Sequence, residues 1–449
     1  MSRLKDMTEG RPLRLMIRFS GPLLLSNTLQ LLFTVVDSAM LGRILGVNSF
    51  ASVGATASLH WFALSFVLGM CHGFGTFFAQ RFGAKDMEGL RRAFITAAYV
   101  ALFFGVATGI SGIFTSRSLL LLLNTPTSLI PEALIYLRFL LGGLPLTFAY
   151  NVLSITLYSL GDSKTPLRAM VIATVANIIL NLALIFPFGV AGVAAASLLA
   201  QALAFAYCFF TLRNTGILKG CGRKPQSSYF APLLRLALPL AFRNAVIEMG
   251  GLLLQRSINA YGVEFVAGMA AARRMYSLLM IAGGAVEASI VTFVAQNYGA
   301  KLLGRVKQGV LDGLRLALIS TSVIMVIALL FGRQILGLLI DGDPAQILAV
   351  LDVGTRQLTM MTLFLPFLYL LFLFRGAIQG MGNTLIPMLS GFIELAVRVL
   401  SILLLTRIWG VWGIHFADPL AWPVALILLV ISYIIIFKKL NNQNLFETR

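Results

Sequence analysis

The stretch Ala79-Gln80-Arg81-Phe82-Gly83-Ala84-Lys85 occurs a second time as Ala295-Gln296-Asn297-Tyr298-Gly299-Ala300-Lys301, 216 residues later. Three further landmarks recur at nearly the same spacing, and they are Pro22 with Pro239, Gly161–Pro166 with Gly382–Pro387, and Gly189–Val193 with Gly410–Ile414. Four matched landmarks indicate that the chain consists of two copies of one long unit. In a very apolar chain, such a duplication is typical of an integral membrane protein built from internal repeats.

The composition predicts that the chain lies in a membrane. Hydrophobic residues make up 58% of the chain and charged residues only 12%, which is about half the charged share of a soluble domain. Apolar stretches of roughly 20 residues are long enough to cross a bilayer. They predict twelve spans, at 15–42, 50–79, 93–115, 132–158, 166–187, 190–212, 232–260, 264–294, 308–332, 352–378, 386–407 and 411–437. We expect kinks where proline interrupts a span, at Pro22, Pro145, Pro239 and Pro366.

The spans divide the chain into two halves. Residues 1–212 and 232–440 each hold six predicted spans. The segment 213–231 is the longest connector and has the polar composition of a linker. Residues 441–449 form a short tail. Because each half has an even number of spans, both copies enter the membrane from the same side, which predicts parallel repeats about an axis along the membrane normal.

The basic residues predict the orientation of the spans. With the amino terminus in the cytoplasm, the inner segments collect nearly all the Lys and Arg residues of the loops, and the outer loops keep only Arg43, Arg117, Arg333 and Arg407. This distribution follows the positive-inside rule and places both termini in the cytoplasm. The net charge of +18 then reflects this bias and attraction to anionic lipid. We expect no nucleic-acid partner.

Asp37 is the acid that lies deepest within the predicted spans of the first half, among Val35, Val36, Ala39 and Met40. A charge at mid-membrane costs about 2.5–3.5 kcal/mol on insertion scales, so it marks a functional site by default. A carboxylate there is retained if it faces a cavity, binds a cation or takes up a proton. Antiport requires that the ion and the cationic substrate bind in turn, and a single carboxylate that exchanges these cations meets this requirement. The alternative is a structural hydrogen-bond anchor between helices.

Several stretches together resemble the multidrug and toxin extrusion (MATE) family, closest to its bacterial DinF-like and related branches. They cover nearly the whole chain and are Thr34–Arg43, Gln80–Lys85, Leu160–Pro166, Gln296–Ala300 and Gln379–Thr384. The resemblance implies an all-α integral membrane protein whose twelve transmembrane helices form two six-helix lobes in a V around a central cavity. It also implies export of organic cations against H⁺ or Na⁺.

The resemblance further implies a cation site in the first lobe. In DinF-like relatives, the positions that match Asp37, Asn177, Asn181 and Ser197 form such a site. Asn177 and Asn181 lie one helical turn apart on one face, and amide oxygens are hard ligands suited to Na⁺. The family often has Asp at the position of Asn181, so this chain carries one negative charge fewer and Asp37 is left as the only titrating group. Alternatively, the asparagines pair across helices.

The second half holds more charged residues within its spans. Glu394 and Arg398 have the i, i+4 spacing of an intrahelical pair, which resembles the family's eleventh span and favours a structural or gating role. Glu248 lies near an acid of NorM-like members, and Gln255 resembles a recurrent polar position that contacts substrate. Glu287 and Asp418 match no family pattern, so each either recognises a cation or neutralises an arginine.

These observations predict a secondary active exporter of amphipathic organic cations, driven by H⁺ or Na⁺ at Asp37. The chain lacks a phosphate-binding loop, a nucleophile–base pair and a metal-ligand spacing, so we expect neither an enzyme nor a cofactor. An alternative is a flippase for lipid-linked anionic precursors, because membrane arginines can hold a phosphate. We expect a monomer in the plasma (inner) membrane, with the lipid bilayer and small organic cations as its partners.

The charged and polar residues inside the membrane differ between the two copies of the repeat. Asp37 corresponds to Leu254 in the second copy, and Glu394 corresponds to Ala173 in the first copy. The matched positions are loops, glycines and prolines, whereas the polar groups inside the membrane differ. We therefore predict ion coupling in the first copy and much of the substrate discrimination in the second.

Overall fold

The computed structural model describes residues 5–123, 125–218, 224–338 and 344–442, and this part of the chain is helical without β-strands. Residues 219–223 of the predicted linker and 443–449 of the predicted tail lie outside the described residues. The helices are α1 (Pro12–Met40), α2 (Val47–Gly83), α3 (Met87–Leu122), α4 (Ile130–Gly142), α5 (Leu144–Ser159), α6 (Lys164–Asn214), α7 (Ser227–Ile258), α8 (Val263–Gly299), α9 (Leu303–Gly337), α10 (Pro344–Leu363), α11 (Leu365–Gly380), α12 (Leu385–Leu400), α13 (Thr406–Trp409), α14 (Trp412–His415) and α15 (Ala417–Asn442).

The number of spans agrees with the sequence prediction, and the all-α membrane fold is confirmed. Within the described ranges, 9 helices are long and apolar enough to cross a membrane, and two bent helix pairs raise the number to 11. One of the nine is α6, whose 51 residues comprise two helices that meet at Gly189, where φ is 57° and ψ is −132°. Counting its two parts separately gives the twelve predicted spans.

Two of the twelve predicted spans each consist of two helices that meet at a bend. The span predicted at 132–158 consists of α4 and α5, which meet at 44°, and the span predicted at 352–378 consists of α10 and α11, which meet at 47°. Pro145 and Pro366 occupy the second positions of α5 and α11. Proline has no backbone N–H to continue the preceding helix, and its ring clashes with the previous turn, so it fits at a helix start. These two bends confirm the kinks expected at Pro145 and Pro366, whereas Pro22 and Pro239 lie inside the continuous helices α1 and α7.

The chain forms two compact units whose limits differ from the predicted halves. The first unit contains residues 1–6 and 21–241, and the second contains residues 7–20 and 242–449. The sequence copies meet in the linker, but α1 belongs to the second unit up to Ser20, and α7 belongs to the first unit up to Ala241. The first residues of α1 and of α7 therefore each belong to the unit that is formed mainly by the other sequence copy.

The two copies repeat one another in backbone detail. Residues with positive φ occur at matched positions in both copies, and they are Gly46 and Gly262, Lys85 and Lys301, Gly161 and Gly382, and Gly189 and Gly410. The two lysines are the only non-glycine residues with positive φ in the described ranges, and an L-residue in this region is strained by roughly 1–2 kcal/mol. Each lysine is the second residue after the end of a long helix, α2 or α8, so the same strained turn is present in each copy.

The core of the first unit depends on a close backbone approach between α2 and α7. A Cβ atom added at Gly73 would lie 2.4 Å from the Cα atom of Ala237, and one added at Gly69 would lie 2.5 Å from the Cα atom of Ala241. Both alanines are fully buried. Small residues let the backbones of membrane helices approach closely, and the gain is van der Waals contact.

We expect Gly73→Ala to destabilise the protein by about 1–3 kcal/mol, because the added methyl group must push two backbones apart. Thermal unfolding in detergent measures the effect as a lowered midpoint. Gly54→Ala is the matched control, since Gly54 lies on the same helix and a Cβ atom there meets nothing within 4 Å. An equal midpoint for Gly73→Ala and the parent would contradict the close packing.

Candidate functional site

The predicted cation site of the first unit is assembled from α1 and the two parts of α6. Asp37 is on α1, Asn177 and Asn181 are on the first part of α6, and Ser197 is on the second part. Twenty residues of straight helix would separate Asn177 from Ser197 by about 30 Å. Their side chains instead lie 3.4 Å apart, because the chain turns back at Gly189, whose positive φ favours glycine.

Hydrogen bonds join the four predicted residues into one cluster, which we call the Asp37 cluster. Asn181 Nδ2 donates to Asp37 Oδ1 at 2.5 Å, and Ser197 Oγ donates to Asp37 Oδ2 at 2.9 Å. Asn181 Nδ2 also donates to Asn177 Oδ1 at 3.2 Å, and Asn177 Nδ2 lies 3.4 Å from Ser197 Oγ. Both carboxylate oxygens thus accept a hydrogen bond from a neighbouring side chain.

The Asp37 cluster is largely buried and forms no ion pair within the described ranges. Asp37 is 7% exposed, and Asn177 and Asn181 are fully buried. No Lys, Arg or His lies within 4 Å of the Asp37 carboxylate in the described ranges. Burial disfavours an unpaired charge, so the carboxylate is suited to take a small cation or a proton. Asn181 Oδ1 is buried without a hydrogen-bond partner and is an oxygen that a cation can use after the amide turns.

The second unit contains a network of four charged residues, of which Arg375, Glu394 and Arg398 are buried and Asp418 is partly buried. Arg375 on α11 pairs with Glu394 on α12, and Arg398 pairs with Asp418 on α15 at 2.5 Å. Arg375 also donates to Ser390 Oγ at 3.0 Å. The predicted intrahelical pair of Glu394 with Arg398 is present, but at 3.9 Å it is the longest link of the network. The nearest partners of both residues come from other helices.

The remaining predicted residues of the second unit lie apart from one another. Glu287 faces Arg243 at 3.6 Å, and like Asp418 it therefore neutralises an arginine. Glu248 is partly buried and forms no ion pair within 4 Å in the described part of the chain. Gln255 donates to Asn259 Oδ1 at 2.8 Å, at the end of its own helix. The structure does not bring Gln255 into the buried charge network.

Sequence reasoning missed the role of Arg375. This arginine stands alone in the apolar run Leu371–Ala377, and a buried arginine in a membrane requires an acidic partner. That requirement was a usable signal, but four acids within the spans of the same half were candidates, namely Glu248, Glu287, Glu394 and Asp418. Only the packing of α11 against α12 selects Glu394. Ser390, which also contacts Arg375, carried no signal in the sequence.

Comparison with known proteins identifies the family. The MatE family model matches residues 22–183 and again 239–404, which also confirms the duplication. The chain is 30% identical over 385 residues to "Probable multidrug resistance protein YpnP" of Bacillus subtilis, covering 85% of each protein. It is 29% identical over 456 residues to "Probable multidrug resistance protein YoeA" of the same species, covering 97% of this chain and 96% of the relative.

Solved structures have the same fold. The chain superimposes with a TM-score of 0.88 on a structure described as "Crystal structure of MATE in the bent conformation". The match covers 97% of this chain and 98% of that one, at 20% sequence identity. Because the family model matches most of the chain in two consecutive copies, the protein belongs to the multidrug and toxin extrusion (MATE) family of membrane transporters.

Proposed function

We propose that the protein is a secondary active exporter that antiports amphipathic organic cations against H⁺ or Na⁺ by alternating access, with Asp37 as the coupling carboxylate. The observation that carries this proposal is the Asp37 cluster, in which a nearly buried carboxylate has hydrogen-bond donors but no cationic partner. The names of the bacillary relatives support the multidrug substrate class.

The hydrogen bonds of Asp37 support the proposed cation exchange at this carboxylate. An incoming proton needs an acceptor beside the carboxyl group, and an incoming Na⁺ needs further oxygen ligands. Asn181 presents Nδ2 to Asp37 and keeps Oδ1 unpaired, so turning this amide satisfies either cation. The cluster therefore has two arrangements, one for the free carboxylate and one for the neutralised form. A ligand shifts a two-state equilibrium by its difference in affinity for the two states.

The alternative function, a flippase for lipid-linked anionic precursors, has less support. It would need buried arginines free to bind a phosphate. In the described part of the second unit, Arg375, Arg398 and Arg243 each face a carboxylate within 4 Å. We also propose that the protein acts as a monomer in the plasma membrane. The distribution of its basic residues supports a cytoplasmic position of both termini.

Transport into vesicles with separately imposed gradients tests the proposal. Purified protein in liposomes is given a pH gradient alone, a Na⁺ gradient alone, or neither, and uptake of a fluorescent organic cation is recorded. We expect uptake to follow one of the two ion gradients and to fall to the level of protein-free liposomes when that gradient is collapsed. Uptake that continues with both gradients collapsed would contradict antiport.

A further inference from the structure

The first described residues of the chain are held more firmly than chain ends usually are. Met7 precedes α1 and is 1% exposed. Its backbone N–H donates to Gln296 Oε1 at 2.7 Å. Its carbonyl oxygen accepts from Asn297 Nδ2 and from Arg305 Nη2, both at 3.1 Å. Side chains of α8 and α9 thus bind both backbone polar groups of one residue that lies outside any helix.

The residues that bind Met7 form a built site in the second unit, which we call the α8–α9 anchor (Gln296, Asn297 and Arg305). Arg305 Nε donates to Asn297 Oδ1 at 2.9 Å, and Arg305 Nη2 also donates to Gly10 O at 3.0 Å. Gln296 and Asn297 are fully buried. Hydrogen bonds from a charged donor are stronger than those between neutral groups, so Arg305 makes the largest contribution to the anchor.

The strained turn after α8 fixes the geometry of the anchor. Lys301 has a φ of 61°, and its N–H donates to Tyr298 O at 3.0 Å. Leu302 N–H donates to Asn297 O at 2.9 Å, and α9 begins at the next residue. This tight turn brings Arg305 back beside Asn297. The duplicated motif thus ends a helix, and its side chains Gln296 and Asn297 bind another segment of the chain.

The first copy of the motif has different chemistry. Arg81 replaces Asn297, and its guanidinium pairs with Asp86 at 2.8 Å. The segment that leads into α7 is held instead by α3, where Thr96 Oγ1 accepts from Gln226 N–H at 3.2 Å and Arg91 donates to Ile217 O. Both copies thus hold the chain just before a first helix, and in the second copy the motif side chains of Gln296 and Asn297 take part.

The anchored segment leads directly into the helix that carries the coupling carboxylate. Only Arg11 separates Gly10 from the start of α1, and Asp37 lies near the other end of the same helix. Packing alone would suffice to cover Met7. Three side-chain groups in addition form hydrogen bonds with the backbone of Met7 and fix its position. The start of α1 is therefore held in place while ions bind and leave at the other end of the helix.

We propose that Gln296, Asn297 and Arg305 are positioning residues for transport, which hold residues 7–10 and thereby fix the cytoplasmic start of α1. The inference rests on the proposed function of Asp37. Loss of the anchor releases the start of α1, and ion uptake at Asp37 is then less tightly coupled to export. The expected consequence is a lower export rate and fewer substrate molecules moved per ion, without loss of the fold.

Arg305→Met tests the proposal in vesicles that expose the cytoplasmic face. We expect export to fall on the order of tenfold, which matches the loss of one charged hydrogen-bonding group. We also expect trypsin to cleave faster after Arg14, which precedes Leu15, whereas the bond after Arg11 precedes Pro12 and resists trypsin. Arg315→Met is the matched control, because it removes the same charge from the same helix at a side chain that is 70% exposed. We expect the control to export like the parent.

Deletion of residues 2–10 with the initiator methionine retained provides a second variant that leaves the anchor residues intact. We expect it to lose as much export as Arg305→Met, and we expect the combined variant to lose no more than either alone. Parental export by Arg305→Met despite faster cleavage would overturn the proposal, as would unchanged cleavage. Failure of the parent under every ion gradient would instead contradict the proposed function, and cleavage would still test the anchor.

Discussion

Asp37→Asn is expected to reduce gradient-driven export to the level of liposomes without protein. Asparagine has the volume of aspartate. Its Oδ1 can accept from Asn181 Nδ2 and its Nδ2 can donate to Ser197 Oγ, so the variant should fold. It cannot ionise, however, and therefore cannot exchange a proton, Na⁺ and a cationic substrate at one group. The measurement is uptake of a fluorescent cation under an imposed ion gradient, normalised to the amount of protein reconstituted.

Asp312→Asn is the matched control for this experiment. Asp312 is also 7% exposed, but it lies on α9 of the second unit and pairs with Arg315 at 2.9 Å. Loss of a negative charge at equal burial should leave export close to that of the parent. If Asp37→Asn exports as well as Asp312→Asn under the same gradient, Asp37 is a structural hydrogen-bond anchor and the coupling mechanism is wrong.

Glu394→Gln is expected to cause the largest loss of stability, about 3–5 kcal/mol, because it leaves a buried guanidinium without its counter-charge. Arg375 is 3% exposed, and Glu394 is its ion-pair partner in the described part of the chain. Arg398 loses its secondary partner at the same time. A lowered midpoint of thermal unfolding in detergent and a smaller fraction of monodisperse protein measure the effect.

Two further variants separate charge burial from other causes. Arg375→Met combined with Glu394→Leu removes both charges and should recover most of the lost stability, since a buried pair replaced by apolar residues is often tolerated. Asp352→Asn removes one member of a pair whose side chains are both 53% exposed, and exposed pairs contribute less than about 1 kcal/mol. Equal effects of Asp352→Asn and Glu394→Gln would contradict the role of burial.

Much of the fold was predictable because the membrane imposes a simple rule on the sequence. Apolar stretches of spanning length predicted the number of helices, and the repeated glycine and lysine positions predicted two copies with the same turns. The exchange of leading residues was not predictable. Ser20 and Gly21 are neighbours in one continuous helix, and only long-range packing assigns them to different compact units.

The candidate site was predictable to different degrees in the two units. Asp37 stood out because an acid among apolar residues has few physical explanations, and the family resemblance supplied Asn177, Asn181 and Ser197. In the second unit, the spacing of Glu394 and Arg398 predicted a contact but not the nearer partners Arg375 and Asp418. Sequence spacing reports neighbours along one helix, whereas buried charges are neutralised by whichever helix packs beside them.

The anchored amino-terminal segment has a consequence for biosynthesis. The N–H group of Met7 bonds to a residue 289 positions further along the chain. Met7 leaves the ribosome before Gln296 does, and its binding site is completed only after α8 and α9 have been synthesised. The nascent chain must therefore keep Met7 unbound by this site while the intervening residues are made and inserted into the membrane.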